Sequence, residues 1–175
     1  KKINPSIEIK GINSKLDEKY IRSLKNKPDL ILDCVDNFST RAIINYLAVK
    51  YKIPLISGGT SPYSGQVVAY VPNESQCLNC RLKIDDAFVA EKSASSCLAA
   101  AQPSVIMTNQ IIGGLMVAEA RSALAPNFYG KSIKKMIKYD SSSEVRAGLI
   151  GSYNSCDCKR KESVDTWLKN LKNKK

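Results

Sequence analysis

Residues 29–41 read Asp29-Leu30-Ile31-Leu32-Asp33-Cys34-Val35-Asp36-Asn37-Phe38-Ser39-Thr40-Arg41. The first part of this stretch is a short apolar run, which is typical of a strand buried on both faces of a parallel sheet. From Arg41 to Tyr51 the apolar residues change to helical spacing, and Ser39 or Thr40 is placed to cap that helix. Asp36 therefore lies where a strand ends and a helix begins. In open α/β sheets this is the crevice that binds ligands.

Further elements alternate around this unit. The pattern predicts a strand over Ser6–Ile12, a helix over Asp17–Lys25 and a strand over Ile53–Ser57. After a turn-rich link, Gln66–Val71 is strongly β-prone and favours an antiparallel addition. The sequence therefore predicts an α/β fold, a Rossmann-like, doubly wound and mostly parallel sheet with added antiparallel strands.

The second half of the chain has one long apolar element. Cys77–Cys97 looks irregular, whereas Ser104–Leu124 is apolar with a few polar positions and predicts a buried helix rather than a membrane span. Late strands are expected at Ser132–Tyr139 and Val145–Ile150. The basic segment Lys159–Lys175 carries a few apolar residues that favour a small docking helix.

The amino-acid composition excludes some kinds of functional site and favours others. At 175 residues the chain fits one domain. It carries 27 basic against 16 acidic residues, and the excess of positive charge lies mainly at its two ends. This charge favours a solvated basic surface over a nucleic-acid groove, and would also suit a polyphosphate ligand or an acidic protein. The chain has no histidine, which excludes Ser-His-Asp triads and imidazole metal ligands. No stretch reads as a signal peptide, so we expect a soluble, cytoplasmic protein with no membrane partner.

Four of the six cysteines form two close pairs, Cys77 with Cys80 and Cys156 with Cys158. Two such pairs are the usual donors of a tetrahedral all-cysteine zinc site. Disulfides remain an alternative, and a redox role for Cys77-x-x-Cys80 is a weaker one. Because 75 residues separate Cys80 from Cys156, the site would be a structural staple rather than a local nucleic-acid-binding ribbon.

Cys97 is left outside these pairs. It lies in a Ser-rich segment shortly before the long apolar helix. A thiol near a helix N-terminus can have a lowered pKa and act as a nucleophile, but an inert loop thiol is an equal alternative.

The ordered set of motifs resembles the C-terminal portion of the ThiF/MoeB/HesA superfamily, the relatives of ubiquitin-activating enzymes. The motifs that carry the resemblance are Asn4-Pro5, residues 33–41 with Asn45, residues 54–59, residues 65–67, the two cysteine pairs and Cys97. The resemblance implies a division into an adenylation-domain portion, residues 1–158, and a basic tail, residues 159–175.

The resemblance also implies a reaction and its residues. Members bind Mg-ATP and adenylate the C-terminal glycine of a ubiquitin-like or sulfur-carrier protein. Asp36 would hold Mg2+, Asn37 would line the ATP site, and Arg41 would support the loop or the phosphates. Cys97 matches a cysteine that forms a thioester or acyl-persulfide in some members. The two cysteine pairs match the family's structural zinc ligands, although the second pair is more often Cys-x-x-Cys.

One family element is not found in this sequence. The Gly-rich loop that follows a strand and opens a helix has no counterpart, and neither Gly58-Gly59 nor Gly113-Gly114 can replace it. We therefore expect a fragment or a split-chain half of an activating enzyme, with a homodimer or a second chain as partner. A non-catalytic, zinc-stapled module that binds a ubiquitin-like protein is the alternative. A basic nucleic-acid binder would account only for the charge and the cysteines.

Overall fold

The computed structural model describes residues 3–14, 16–23, 26–93, 105–143, 147–151, 156, 158 and 160–173. Its elements in chain order are α1 (Glu18–Ser23), β1 (Ile31–Asp33), α2 (Phe38–Tyr51), β2 (Leu55–Thr60), β3 (Ser64–Tyr70), α3 (Leu78–Leu82), α4 (Ile84–Ser93), α5 (Ile106–Leu124), α6 (Pro126–Tyr129), β4 (Met136–Asp140), β5 (Ala147–Ile150) and α7 (Val164–Lys172).

The five strands form one mixed sheet in the order β1-β2-β3-β4-β5. β1 and β2 are parallel because α2 carries the chain back across the sheet between them. The other three strand pairs are antiparallel. The α/β class, the Rossmann-like unit and the added antiparallel strands are thus confirmed.

The expected balance of the sheet has to be corrected. Antiparallel pairs outnumber the parallel pair among the described residues, because β2 and β3 are joined by the short turn 61–63 rather than by a crossover helix. Residues 3–14 form no strand, so the predicted Ser6–Ile12 strand is also wrong.

Side chains of the central strands alternate between two cores and so make three layers. On one face, Leu55 and Val68 belong to the core that contains α2, α3, α4 and α7. On the other face, Ile56 and Val67 pack with Ile112 and the rest of the inner side of α5. The C-terminal ends of β1 and β2 thus lie beside the start of α2, which is where the candidate site is found.

The small C-terminal helix docks as expected. Trp167 of α7 is 3% exposed, and its ring centroid lies 4.6 Å from that of Tyr46 on α2. A buried aromatic pair of this kind stabilises the packing of the two helices. The division at residue 158 stays a prediction, but α7 shares the main core.

One further expectation is wrong, and another is confirmed in part. Cys77–Cys97 is not irregular over its described part, since α3 and α4 occupy most of it. α5 is the predicted long helix, and its inner face is buried as expected. Its outer face leaves Ile106, Met107 and Val117 exposed. In the part of the chain that the structure describes, no helix has the length and apolarity needed to cross a membrane.

Candidate functional site

The start of α2 is defined by Asn37. Its backbone is extended, with φ −129° and ψ 146°, and its side-chain oxygen accepts a hydrogen bond from the Thr40 amide at 2.7 Å. Asn37 is therefore the N-cap, which corrects the expectation of Ser39 or Thr40. Asp36 precedes it with an exposed carboxylate, whose Oδ1 accepts from the side-chain Nδ2 of Asn37 at 3.2 Å.

A buried ion pair fixes the loop that carries Asp36. Asp33 is fully buried and accepts hydrogen bonds from Arg41 Nε at 2.8 Å and from Ser57 Oγ at 2.6 Å. It also accepts from the Val35 amide at 3.1 Å. A buried charge is tolerated only when it is paired and hydrogen-bonded, and Asp33 meets both conditions.

Arg41 extends this network to two backbone segments. Its Nη2 donates to the Val35 carbonyl at 2.6 Å and to the Gly58 carbonyl at 2.7 Å. The β1–α2 loop is thereby attached to the end of β2. The side chain thus supports the loop, while its Mg-ATP role stays a prediction.

A cleft of about 250 Å³ opens beside this network. It is lined by Phe38, Arg41, Gly59, Thr60, Ser61, Ser64, Gly65, Gln66 and Lys138. Gly59, Gln66 and Lys138 are paired in register across β2, β3 and β4, so they form one row on the sheet. Because Asp33 pairs with Arg41, Lys138 is the cationic side chain of this lining that is left to attract an anionic ligand.

The two cysteine pairs meet although they are far apart in the sequence. The Sγ atoms of Cys77, Cys80, Cys156 and Cys158 all lie within 4.8 Å of one another, and we call this group the four-cysteine cluster. The Cys77 amide donates to Cys156 Sγ at 3.2 Å, and the sulfurs of Cys80 and Cys158 are 3.1 Å apart. The five cysteines of the described residues are free thiols, which does not support the disulfide alternative.

The cluster has the chemistry of a zinc site. Four thiolates at Zn–S distances of about 2.3 Å in a tetrahedron lie about 3.8 Å apart, so the observed spacing needs only small shifts to hold the ion. Soft thiolate ligands favour zinc over magnesium or calcium. The four residues therefore fit the implied metal.

Burial and crowding set the electrostatics of the cluster. Burial, with the neighbouring cysteines, raises the pKa of Cys77 to about 12. Burial also raises the pKa of Tyr70 to about 12, helped by the same cysteines. Burial would also raise the pKa of Cys156, but hydrogen bonds from Cys77 and Cys158 lower it. A divalent cation would compensate thiolates held this close together.

The structure brings the predicted site residues into two groups. Asp36, Asn37 and Arg41 lie together at the start of α2, and the four-cysteine cluster lies at the start of α3. Cys97 lies outside the described residues.

Sequence reasoning gave no role to Asp33, Ser57 or Glu91. A charged residue inside an apolar strand was a signal for Asp33, because a buried carboxylate needs a partner. Glu91 had no such signal. Its carboxylate binds the Phe38 and Ser39 amides across more than 50 positions of sequence.

Comparisons with known proteins agree on one family. The ThiF family matches residues 1–160. The chain is 32% identical over 142 residues to the molybdopterin-synthase adenylyltransferase of Salmonella typhimurium, covering 80% of this chain and 53% of that protein. It is 30% identical over 79 residues to the sulfur carrier protein ThiS adenylyltransferase of Escherichia coli, covering 45% of this chain and 32% of that protein.

Solved structures show the same fold. The crystal structure of E. coli MccB with ATP superposes with a TM-score of 0.55 at 19% identity, over 74% of this chain and 38% of that one. The chain thus spans about half the length of the first adenylyltransferase it matches, and a smaller share of the others.

Proposed function

The chain belongs to the ThiF family, and from this premise we propose that it supplies the carboxylate-bearing part of a site that adenylates a protein C-terminus. The substrate would be the C-terminal glycine of a ubiquitin-like or sulfur-carrier protein, with ATP as the donor and pyrophosphate as the product. Two related proteins are named adenylyltransferases, one of molybdopterin synthase and one of a sulfur carrier. A related fold binds ATP in MccB.

One observation carries the proposal. The carboxylate of Asp36 is exposed at the C-terminal end of a parallel strand, on a loop that the buried Asp33–Arg41 pair holds in place. An oxygen ligand in that position suits magnesium, and Asp36 would hold the ion while Asn37 lines the nucleotide site. Bound magnesium would neutralise charge on the leaving pyrophosphate.

The C-terminal segment of the carrier would bind in the adjacent cleft. Phe38, two residues after Asp36, forms part of the cleft, so a segment lying there would end close to Asp36. Lys138 would attract the terminal carboxylate of the carrier, and Gly59 would leave room for its backbone. The carboxylate would then attack the α-phosphate in line.

The Gly-rich half of the nucleotide site would come from further residues of the same polypeptide or from a second chain. Zinc at the four-cysteine cluster would be structural, and Cys97 would be available for a thioester or acyl-persulfide. We place the reaction in the cytoplasm.

A homodimer would use the outer face of α5. Ile106, Met107 and Val117 are exposed there, and a Cβ built on Gly113 or Gly114 would meet no atom within 4 Å. Open space at glycine on an apolar helix face allows a second backbone to approach closely.

The test is ATP:pyrophosphate exchange by the protein that carries this chain, with its carrier and magnesium present. Asp36→Ala should lower the exchange rate at least about a hundredfold, because the charge on the phosphates loses its compensation. Glu74→Ala is the control, since Glu74 is exposed and lies in a turn away from the site. Undiminished exchange in Asp36→Ala would reject the role of that residue. Tight carrier binding without any exchange would favour the non-catalytic module.

A further inference from the structure

The carboxylate of Glu91, on α4, binds the first turn of α2. Its Oε1 accepts from the Phe38 amide at 3.1 Å and its Oε2 from the Ser39 amide at 2.8 Å. The Ser39 hydroxyl donates to Oε2 as well. α2 has no acidic residue in its own first turn, so Glu91 supplies this negative charge from another helix.

This contact provides hydrogen-bond acceptors for free backbone amides at the start of α2. The first amides of a helix have no partner inside the helix, and the positive end of the helix dipole favours an anion there. Asn37 satisfies the Thr40 amide, and Glu91 satisfies the Phe38 and Ser39 amides. The chain immediately before them carries Asp36. Glu91 thus binds the two residues that directly follow Asp36 and Asn37.

The other end of the α3–α4 segment is fastened at the four-cysteine cluster. The Leu78 amide, next to Cys77, donates to the buried Asn45 Oδ1 of α2 at 2.9 Å. Arg160, two residues after Cys158, donates to Asp85 Oδ2 in the first turn of α4 at 2.9 Å. Residues adjoining both cysteine pairs thus hold α3 and α4 against α2 and the C-terminal segment. α4 then reaches the start of α2 with Glu91.

We propose that Glu91 is a positioning residue that holds the start of α2, with Asp36 and Asn37, and that the four-cysteine cluster sets the position of Glu91 through α3 and α4. Binding of zinc at the cluster then orders a loop that contains none of its ligands. The consequence for nucleotide binding rests on the proposed function. The structural linkage between the cluster and the α2 start does not.

Hydrogen exchange of the α2 start tests the linkage without any nucleotide. In the zinc-loaded protein, Glu91→Ala should speed amide exchange of peptides covering residues 38–41 at least about tenfold, because two amides of this segment lose their charge-assisted hydrogen bonds. Glu91→Gln keeps one acceptor oxygen and should give a smaller increase. Asp86→Ala is the matched control, because Asp86 is exposed on the same helix, and it should leave the exchange of these peptides unchanged.

Chelation of zinc provides the second arm of this test. In the wild-type chain, chelation should speed hydrogen exchange at residues 38–41 at least about fivefold. In Glu91→Ala it should speed this exchange less than about twofold, because the link is already broken. Equal effects of chelation in both proteins would overturn the linkage, and so would unchanged exchange in Glu91→Ala. Should Glu91→Ala fail to fold, the same comparison is made with Glu91→Gln.

A kinetic measurement separates this inference from the proposed function. In ATP:pyrophosphate exchange, Glu91→Gln should raise KM for Mg-ATP at least about threefold and lower kcat by a smaller factor, since Glu91 touches neither substrate. An equal loss in kcat with unchanged KM would overturn the positioning role. If the wild-type protein shows no ATP:pyrophosphate exchange, only the proposed function is rejected, because the hydrogen exchange of the α2 amides does not depend on it.

Discussion

The β1–α2 loop and the four-cysteine cluster are both fastened to α2, but their polar groups are satisfied in opposite ways. In the loop, the charge of Asp33 is matched by Arg41, Ser57 and a backbone amide, all from this chain. In the cluster, four thiols face one another, and burial raises the pKa of Cys77 to about 12. The polar groups of the loop are paired within the chain, whereas the cluster is a set of like donors of the kind that holds zinc.

The stability of the two regions should therefore depend on different conditions. A network of paired groups responds to substitution and to protons, while a thiolate cluster responds to metal.

The largest effect is expected from zinc removal. The protein should bind about one zinc per chain. At free zinc 10⁴-fold above its dissociation constant, the metal should add about 5 kcal/mol to the free energy of unfolding. Metal analysis and urea unfolding with and without a chelator measure both quantities. Cys34→Ser is the control, since Cys34 is an exposed free thiol outside the cluster. A chelator that left the unfolding midpoint unchanged would reject a structural metal.

Removal of one partner of the buried ion pair should come next. Arg41→Ala leaves Asp33 charged and buried, and should lower the free energy of unfolding by about 3–5 kcal/mol. Urea unfolding of the zinc-loaded protein measures the loss. Lys138→Ala, at an exposed position, should change it by less than about 0.5 kcal/mol. A loss below about 1 kcal/mol for Arg41→Ala would mean that the loop does not depend on this pair.

Sequence patterns predicted best those features that depend on neighbours in the chain. The β1–α2–β2 unit, α5, the late strands and the docking of α7 followed from local periodicity. The four-cysteine cluster followed from pair spacing together with the chemistry of zinc. The Ser6–Ile12 alternation failed because residues 3–14 are largely exposed, with Ile3, Ile7 and Ile9 exposed, and they pair with no strand among the described residues.

The features missed by sequence depend on contacts between distant segments. With five residues α3 is too short to show a helical period, and it is held by the Leu78–Asn45 hydrogen bond from α2. In α4 the helical spacing of Ile84, Ala87 and Phe88 was a signal that the prediction missed. Ser39 and Thr40 are good capping residues by type, but the Asn37 side chain reaches the Thr40 amide and starts the helix earlier. Glu91 shows the limit most clearly, because nothing near it in sequence indicates which helix it binds.

Acid should weaken a third polar contact region, which surrounds Glu18. As in the loop, the charge there is matched by groups of this chain. Glu18 of α1 accepts from Lys50 at 2.6 Å and from the Val164 amide at 2.7 Å, and Arg22 and Tyr51 also face it. Burial alone would raise its pKa, but these donors lower it to about 2. The unfolded chain binds this proton at higher pH than the folded one does. Stability should therefore fall between about pH 5 and pH 2.

The expected loss is about 1–3 kcal/mol across that range, measured by urea unfolding at a series of pH values. Glu18→Gln should be less stable at neutral pH and should show a flatter dependence below pH 5. Glu8→Gln is the control, because Glu8 is exposed in the N-terminal segment. A wild-type profile that matched Glu18→Gln over the same range would show that this carboxylate does not hold α1, α2 and α7 together.

The smallest effect concerns the cap of α2. Asn37→Ala removes the acceptor of the Thr40 amide and should cost about 1 kcal/mol, which corresponds to a fall of about 2–4 °C in Tm. Asn37→Asp keeps an acceptor and should retain most of the stability. Thermal unfolding of the zinc-loaded protein compares the two variants. Equal losses in both would mean that the Glu91 carboxylate, rather than the Asn37 side chain, defines where α2 begins.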